Sequence, residues 1–442
     1  MLSQEENALL TQTGPGTPCG ELLRRYWQPT CFAGELTDAK PARRVKIMGE
    51  ELVIFRDRQG NYGCVAEHCA HRGVSLYYGF VEDCGIRCAY HGWKFATTDG
   101  QCLEQPFEPA GSTYKERVRQ RAYPVERLGG ILFVYMGPPP APLLPRWDVL
   151  AWTDGQRKLM RQEVLDCNWL QIQENTADLT HLYFLHSHML YTRGVWDRGI
   201  ERLYRPFERY GFQPFEWGLL KSWQYAKGPT FPAERGGGMP LVFPNILRSI
   251  EYPWHAMHWR VPIDDTHTEV LWAGFLPGAP ASPEELENPP IEQHPPQRLP
   301  DGEHLLDTFW AQDRMAWETQ GPIMDRGTEH LGASDRGIVL FRQILREQIE
   351  RVQRGLEPIA LARDPARNQL IELPGWLIDV DAMQMTPEQF AKSVGMQKVG
   401  QPMYDYFDER LEWFDVATGA AAGIASADRP PVASGTATSW RP

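Results

Sequence analysis

Long apolar runs are missing from this sequence. No stretch approaches the roughly 20 consecutive apolar residues that a membrane-crossing helix needs, so no membrane span is expected. The N-terminus, MLSQEENALLTQTGPG, is acidic and lacks a basic segment followed by an apolar one, so a secretory signal is not expected either. Basic residues are in deficit, with 45 Lys and Arg against 57 Asp and Glu and a formal net charge of -12. Nucleic-acid binding draws on basic surface that displaces counterions, so nucleic acid is not an expected partner. Cysteine is sparse for a disulfide framework: there are eight in 442 residues, and five of them crowd between Cys64 and Cys102. In a long chain without a secretory signal, clustered Cys and His point to metal and to the reducing cytoplasm. Internal repeats are lacking as well.

A chain of this length calls for two or three compact units. Residues 1–26 read as a short helical segment broken by Gly14-Pro15-Gly16. From 27 to 136 the pattern turns to β, with VKIMGEELVIFRD alternating about a turn at Gly49-Glu50 and ILFVYMG reading as a buried strand. GPPPAPLLP, 137–145, is a stiff Pro-rich connector that opens a second unit running to 416. In that unit, residues 165–186 carry helical apolar spacing. Residues 243–276 alternate like antiparallel strands, 277–300 read as a Pro-rich surface loop, and two further helices are expected in HLLDTFWAQDRMAWETQGPIMD and SDRGIVLFRQILREQIERVQRG. Residues 417–442 read as a flexible tail.

Within the first unit stands Cys69-Ala70-His71, then sixteen residues, then Cys88-Ala89-Tyr90-His91. Two thiolates and two imidazoles suit either a tetrahedral zinc or a two-iron, two-sulfur cluster with two Cys on one iron and two His on the other. The surrounding CAHRGVSLYYGFVEDCGIRCAYHGWKF resembles the ligand loops of Rieske clusters and no zinc-finger helix. The resemblance implies that Cys69, Cys88, His71 and His91 hold a [2Fe-2S] cluster. Ala70 stands where the family usually has proline. His68 and Cys84 flank the motif out of register and read as packing or loop residues.

The second unit offers Asp178-Leu-Thr-His181-Leu-Tyr-Phe-Leu-His186. Two His and one carboxylate on one side of an iron leave positions open for O₂. On an ideal helix, residues five apart point about 140° apart, so His181 and His186 share a metal only if the helix ends or bulges between them. Asp178, three residues before His181, lies on its face. The third ligand is sought among Asp307, Asp313, Glu318 and Asp325.

Taken together, residues 1 to about 374 resemble the Rieske non-haem iron oxygenases, in the phthalate-dioxygenase-like branch. Strings such as CLEQPFEP, CNWLQIQEN, VPIDDTHT and TQGPIMDR resemble the dehydrodivanillate O-demethylases of that branch. The resemblance implies an α+β chain: a small all-β Rieske domain, and a catalytic domain with an antiparallel sheet covered by helices (a helix-grip, START-like fold). It implies mononuclear Fe(II) on His181, His186 and Asp313, with Asp178 and Asn168 as catalytic residues, Asp178 linking His181 to a cluster His of a neighbouring subunit. Electrons are expected from NAD(P)H through a reductase or ferredoxin, O₂ is the co-substrate, and a homotrimer or pair of trimers is the expected assembly. The leading expectation for the reaction is O-demethylation of a methoxylated, lignin-derived aromatic acid. Ring hydroxylation or cis-dihydroxylation of an aromatic carboxylate such as phthalate comes next. A Rieske electron carrier without mononuclear iron is the alternative of another class. A substrate carboxylate needs a cationic partner; Arg193, Arg248 and His255 are the candidates.

Overall fold

A computed structural model describes residues 1–194, 206–225, 237–251, 254–374, 412–418 and 421–423. Most of the expected tail lies outside these residues. No described helix is long and apolar enough to cross a membrane.

Two short helices open the chain. Gln4–Thr11 starts at a capping box in which Ser3 and Glu6 satisfy each other's exposed amides. Pro18–Leu23 starts with proline in its first turn and Thr17 as cap. The segment is not free-standing: Leu2 N donates to Arg326 O (2.9 Å), and Asn7 Nδ2 to Met324 O (3.0 Å). It straps the second unit.

The first unit is built of three small antiparallel sheets. Strand Ala42–Ile47 alternates less and more exposed residues from Arg43 on, as the sequence pattern implies, whereas Leu52 to Phe55 of the next strand are all buried. It turns into Glu50–Arg56 through Met48 and Gly49, both at positive φ (47° and 78°), the geometry of a two-residue hairpin turn. The turn thus falls one residue earlier than the Gly49-Glu50 expected. The buried run at 131–136 supplies Ile131–Val134, the centre of a three-stranded sheet. A second four-stranded sheet, Phe80–Glu82 to Cys102–Glu104, carries the later ligand loop.

The second unit is organised by a ten-stranded sheet. Its middle, Gly218–Tyr225, Gly237–Val242, Ile246–Glu251, Trp254–Pro262 and Thr268–Pro277, is antiparallel throughout. The Pro-rich 277–300 segment is more ordered than expected. It holds a capped helix, Pro283–Glu287, and a strand, Ile291–Gln293, that pairs in parallel with Gly155–Arg161 at the sheet edge. Proline there sets the first helical turn instead of abolishing structure.

Helices Trp169–Ala177, Phe309–Glu318 and Arg336–Gln353 pack over the second unit. A buried ionic knot joins the first to the last: Glu174 takes Arg326 (2.7 Å) and Arg342, and Arg342 also pairs with Glu329. Gly337 allows the close approach, since a Cβ there would fall 2.2 Å from Ala177 O. The other face of the sheet meets the first unit through Trp259 against Phe133, ring centres 5.9 Å apart.

Candidate metal centres

The first centre is one loop built twice. Gly73 N donates to Cys69 O (2.8 Å), and Gly92 N to Cys88 O (3.0 Å). Cys69 N donates to Val74 O (2.9 Å), and Cys88 N to Trp93 O (2.8 Å). Both glycines have positive φ, 76° and 73°, which closes each loop back on its cysteine. The result brings both Cys to buried positions and sets the His71 and His91 ring centres 4.7 Å apart. His71 stacks on Trp93 at 4.1 Å. Burial pushes the Cys69 thiol up, to about 11, so iron must displace a proton there.

His91 Nδ1 is buried with no hydrogen-bond partner. Two converging imidazoles above two buried thiols, with one ring nitrogen unspent, fit a His₂Cys₂ cluster. Gln120, which sequence reasoning missed, holds the first loop: it accepts from Ala70 N (2.7 Å) and donates to Ala66 O and His68 O (2.7 and 2.9 Å). Proline at position 70 has no amide to give. His68 bonds Gly73 O and Glu51, and Cys84 donates to Gln59, so both stand aside from the ligand set as expected.

The second centre is formed by two segments. Helix Trp169–Ala177 ends at Asp178, whose backbone is extended. The chain then re-enters a π-helix at Leu182–His188. The wider π turn brings residues five apart onto one side, which is the bulge the His181/His186 spacing requires. The two rings lie 5.2 Å apart and nearly perpendicular. Asp313 arrives from helix Phe309–Glu318, its Oδ1 3.3 Å from His186 Nε2. One ligand atom from each of His181, His186 and Asp313 falls within 4.8 Å of the others.

Protonation supports the same set. His181 Nδ1 lies 2.8 Å from Asp178 Oδ2, and His186 Nδ1 lies 2.9 Å from Gln312 Oε1. With Nδ1–H donating in each ring, both Nε2 lone pairs are free for a metal. Asp313 Oδ1 is buried without a hydrogen bond, so its approach to His186 Nε2 is that of two acceptors turned to one point. Burial would raise the Asp313 carboxyl, but His186 and His181, when their rings carry a second proton, and Arg260 outweigh it and hold it below its usual range. For Asp178, too, burial is outweighed, here by His181 and Thr180, and its carboxyl lies well below the ordinary value. These donors fit a two-His, one-carboxylate iron.

Of the other carboxylates considered, Glu318 is turned away into Arg314 and Arg298. Asp325 is turned to the amide of Gly327. Asn168 is bonded on every side by its own chain. Its Oδ1 caps the helix at Leu170 N, and its Nδ2 donates to Thr11 O and Asp265 O, so it starts the helix that leads into the ligand-bearing segment.

The three expected substrate contacts do not gather at this centre. Arg193 is exposed at the end of helix Met189–Thr192. Arg248 and His255 are bonded to each other (2.7 Å), and Arg248 is paired with Asp148 (3.1 Å), all fully buried. Strand register gives the reason. Arg248 pairs with Met257, on the sheet face opposite the one that carries His258 and Arg260. What the metal-side face does carry is Lys221 and Arg260, both buried and both within electrostatic reach of Asp313. Burial pulls them down, Lys221 to about 8 and Arg260 to about 9. Beside them His258 bonds Glu251 and stacks on Trp310 at 4.8 Å.

Residues 26–121 match the Rieske [2Fe-2S] domain, and residues 302–373 match the LigXa C-terminal domain like family. The chain is 40% identical to the 5,5'-dehydrodivanillate O-demethylase oxygenase subunit of a Sphingobium species, over 88% of this chain and 90% of that protein. It is 37% identical to the phenoxybenzoate dioxygenase subunit alpha of Ectopseudomonas oleovorans, over 79% of this chain and 86% of that one. In fold it is similar to the terminal oxygenase of carbazole 1,9a-dioxygenase from Novosphingobium sp. KA1 (TM-score 0.53, 22% identity, 77% of this chain and 93% of the other). With a twin-loop cluster site, a two-His, one-carboxylate site and relatives matched along nearly their whole length, the chain belongs to the Rieske non-haem iron oxygenases.

Proposed function

We propose that this oxygenase component removes the methyl group of a methoxylated aromatic acid, of the lignin-derived and biaryl kind. The carrying observation is the 40% identity with an O-demethylase over 88% of the chain, which reaches far beyond the ligand loops. Bound at their sites, the cluster supplies single electrons and the mononuclear iron supplies O₂ activation. His181, His186 and Asp313 hold that iron, and Cys69, Cys88, His71 and His91 hold the cluster. Asp178 keeps His181 in the tautomer that ligates and, on this reading, meets a cluster His of a neighbouring subunit in a trimer or pair of trimers. The exposed aromatics Tyr78, Phe80 and Tyr90 beside the cluster loops, and Phe184 beside the iron ligands, are consistent with such an interface. A reductase or ferredoxin drawing on NAD(P)H feeds the cluster, in the cytoplasm.

Oxidation of the methoxy carbon gives a hemiacetal, which collapses to a phenol and formaldehyde. With a surrogate reductase, NADH and O₂, formaldehyde is expected in step with a product lighter by one CH₂. A second reading, ring oxidation, is favoured by the likeness to a phenoxybenzoate dioxygenase. It gives added oxygen with the methoxy carbon retained, and that product would refute demethylation.

A further inference from the structure

Two cations face the metal ligands without an anion of their own. Arg260 is 3% exposed. Its Nη1 donates to His258 O at 3.2 Å, and its Nε has no partner. Lys221 is 2% exposed and gives one bond, to the main-chain oxygen of Asp178 at 3.2 Å. Neither has a carboxylate within ion-pair distance among the described residues. The two occupy one side of the sheet. Lys221 pairs with Met239; Leu241, two residues on, pairs with Leu247; Leu247 pairs with His258, two residues before Arg260. That places both under the helix bearing Asp313, whose carboxylate feels each of them.

The acids nearby are already committed. Asp178 is taken by His181 and Thr180. Glu251 is taken by His258, Ser249 and Trp272. Asp313 is turned to His186. A divalent iron on two neutral imidazoles and one carboxylate carries a net positive charge, so loading the site enlarges the cationic surplus. A buried guanidinium with idle donors is costly unless an anion completes it, and its planar fork matches a carboxylate.

We propose that Arg260, assisted by Lys221, anchors the carboxylate of an aryl acid and so sets the substrate's ring against the iron. The proposal rests on the reading of this site as an aromatic oxygenase centre and does not depend on which carbon is oxidised. Arg260 is then a specificity-determining residue, and Lys221 raises the potential of the same pole while fixing the Asp178 turn.

The test compares each acid with its neutral amide on the iron-loaded enzyme: meta-methoxybenzoate against meta-methoxybenzamide, and 5,5'-dehydrodivanillate against its bis-amide. Anaerobic calorimetry reads binding without turnover, and kcat/KM with product mass reads the reaction. Wild type is expected to favour acid over amide about 100-fold in Kd. Arg260→Gln is expected to bring the ratio to within about threefold, with Arg260→Lys intermediate. Equal binding of acid and amide by wild type overturns the anchor, and so does an undiminished preference in a folded Arg260→Gln. Should Arg260→Gln fail to fold, the wild-type ratio and Arg260→Lys decide: no preference in wild type, or a full one in Arg260→Lys, refutes it. Ring-oxidised products without formaldehyde defeat the demethylase reading alone, because the acid-to-amide ratio is scored separately.

Discussion

Asp178 Oδ2 accepts from His181 Nδ1 at 2.8 Å, three residues along a turn whose helix has just ended. Such an outer partner fixes the ring and its tautomer. Asp178→Asn is therefore expected to retain both metals and to lower turnover by about 10- to 100-fold. Metal analysis together with steady-state rates checks it; normal turnover would remove Asp178 from the mechanism.

Asp313 is the carboxylate that shares its space with both imidazoles. Asp313→Ala should lower iron from about three to about two per chain while the cluster's visible spectrum persists. An iron content unchanged by the substitution would send the search for a ligand back to Asp307.

The His181/His186 pair depends on the π turn between them. Phe184 lies in that turn and is exposed, so inserting one alanine after it costs little packing while setting the two His six apart, a spacing that neither an α turn nor the π turn brings to one side. The insertion should empty the mononuclear site and leave the cluster intact. Iron retained at wild-type level would mean that the turn is not what unites the ligands.

In the first centre, His91→Ala should abolish the low-average-g electron paramagnetic resonance signal of a reduced His₂Cys₂ cluster. Gln120→Ala should leave the ligands in place but loosen the first loop, lowering cluster retention under chelator challenge. A signal that survives His91→Ala would reassign the ligand.

Arg248 belongs to stability. It and Asp148 are both fully buried, and removing one partner strands the other's charge. Arg248→Met is expected to cost about 3–5 kcal/mol, read as a lowered Tm, with the acid-to-amide ratio unchanged. A stable variant with altered substrate preference would return Arg248 to the binding site.

Much of this was legible because the signals are local. Cys69-x-His71 and Cys88-x-x-His91 fix their own loops through nearby glycines, and the five-residue interval between His181 and His186 announces an irregular turn. The substrate pole was not legible for a geometric reason. Arg248 and Arg260 stand on neighbouring strands, and only the register decides which one faces the iron. Gln312 was missed although it adjoins Asp313, since its role comes from a partner, His186, that lies 126 residues away. The cap bond of Asn168 was not legible because a helix cap and a catalytic amide carry the same side chain. The order within the Pro-rich 277–300 segment rests on pairing with Gly155–Arg161, a long-range contact that composition does not encode.

The Gln312–His186 bond has a consequence for assembly of the iron site. It ties the segment preceding the large sheet's central strands to the helix that follows them, and it involves no metal. The conformational entropy of closing that long excursion of chain is thus met during folding, not at loading.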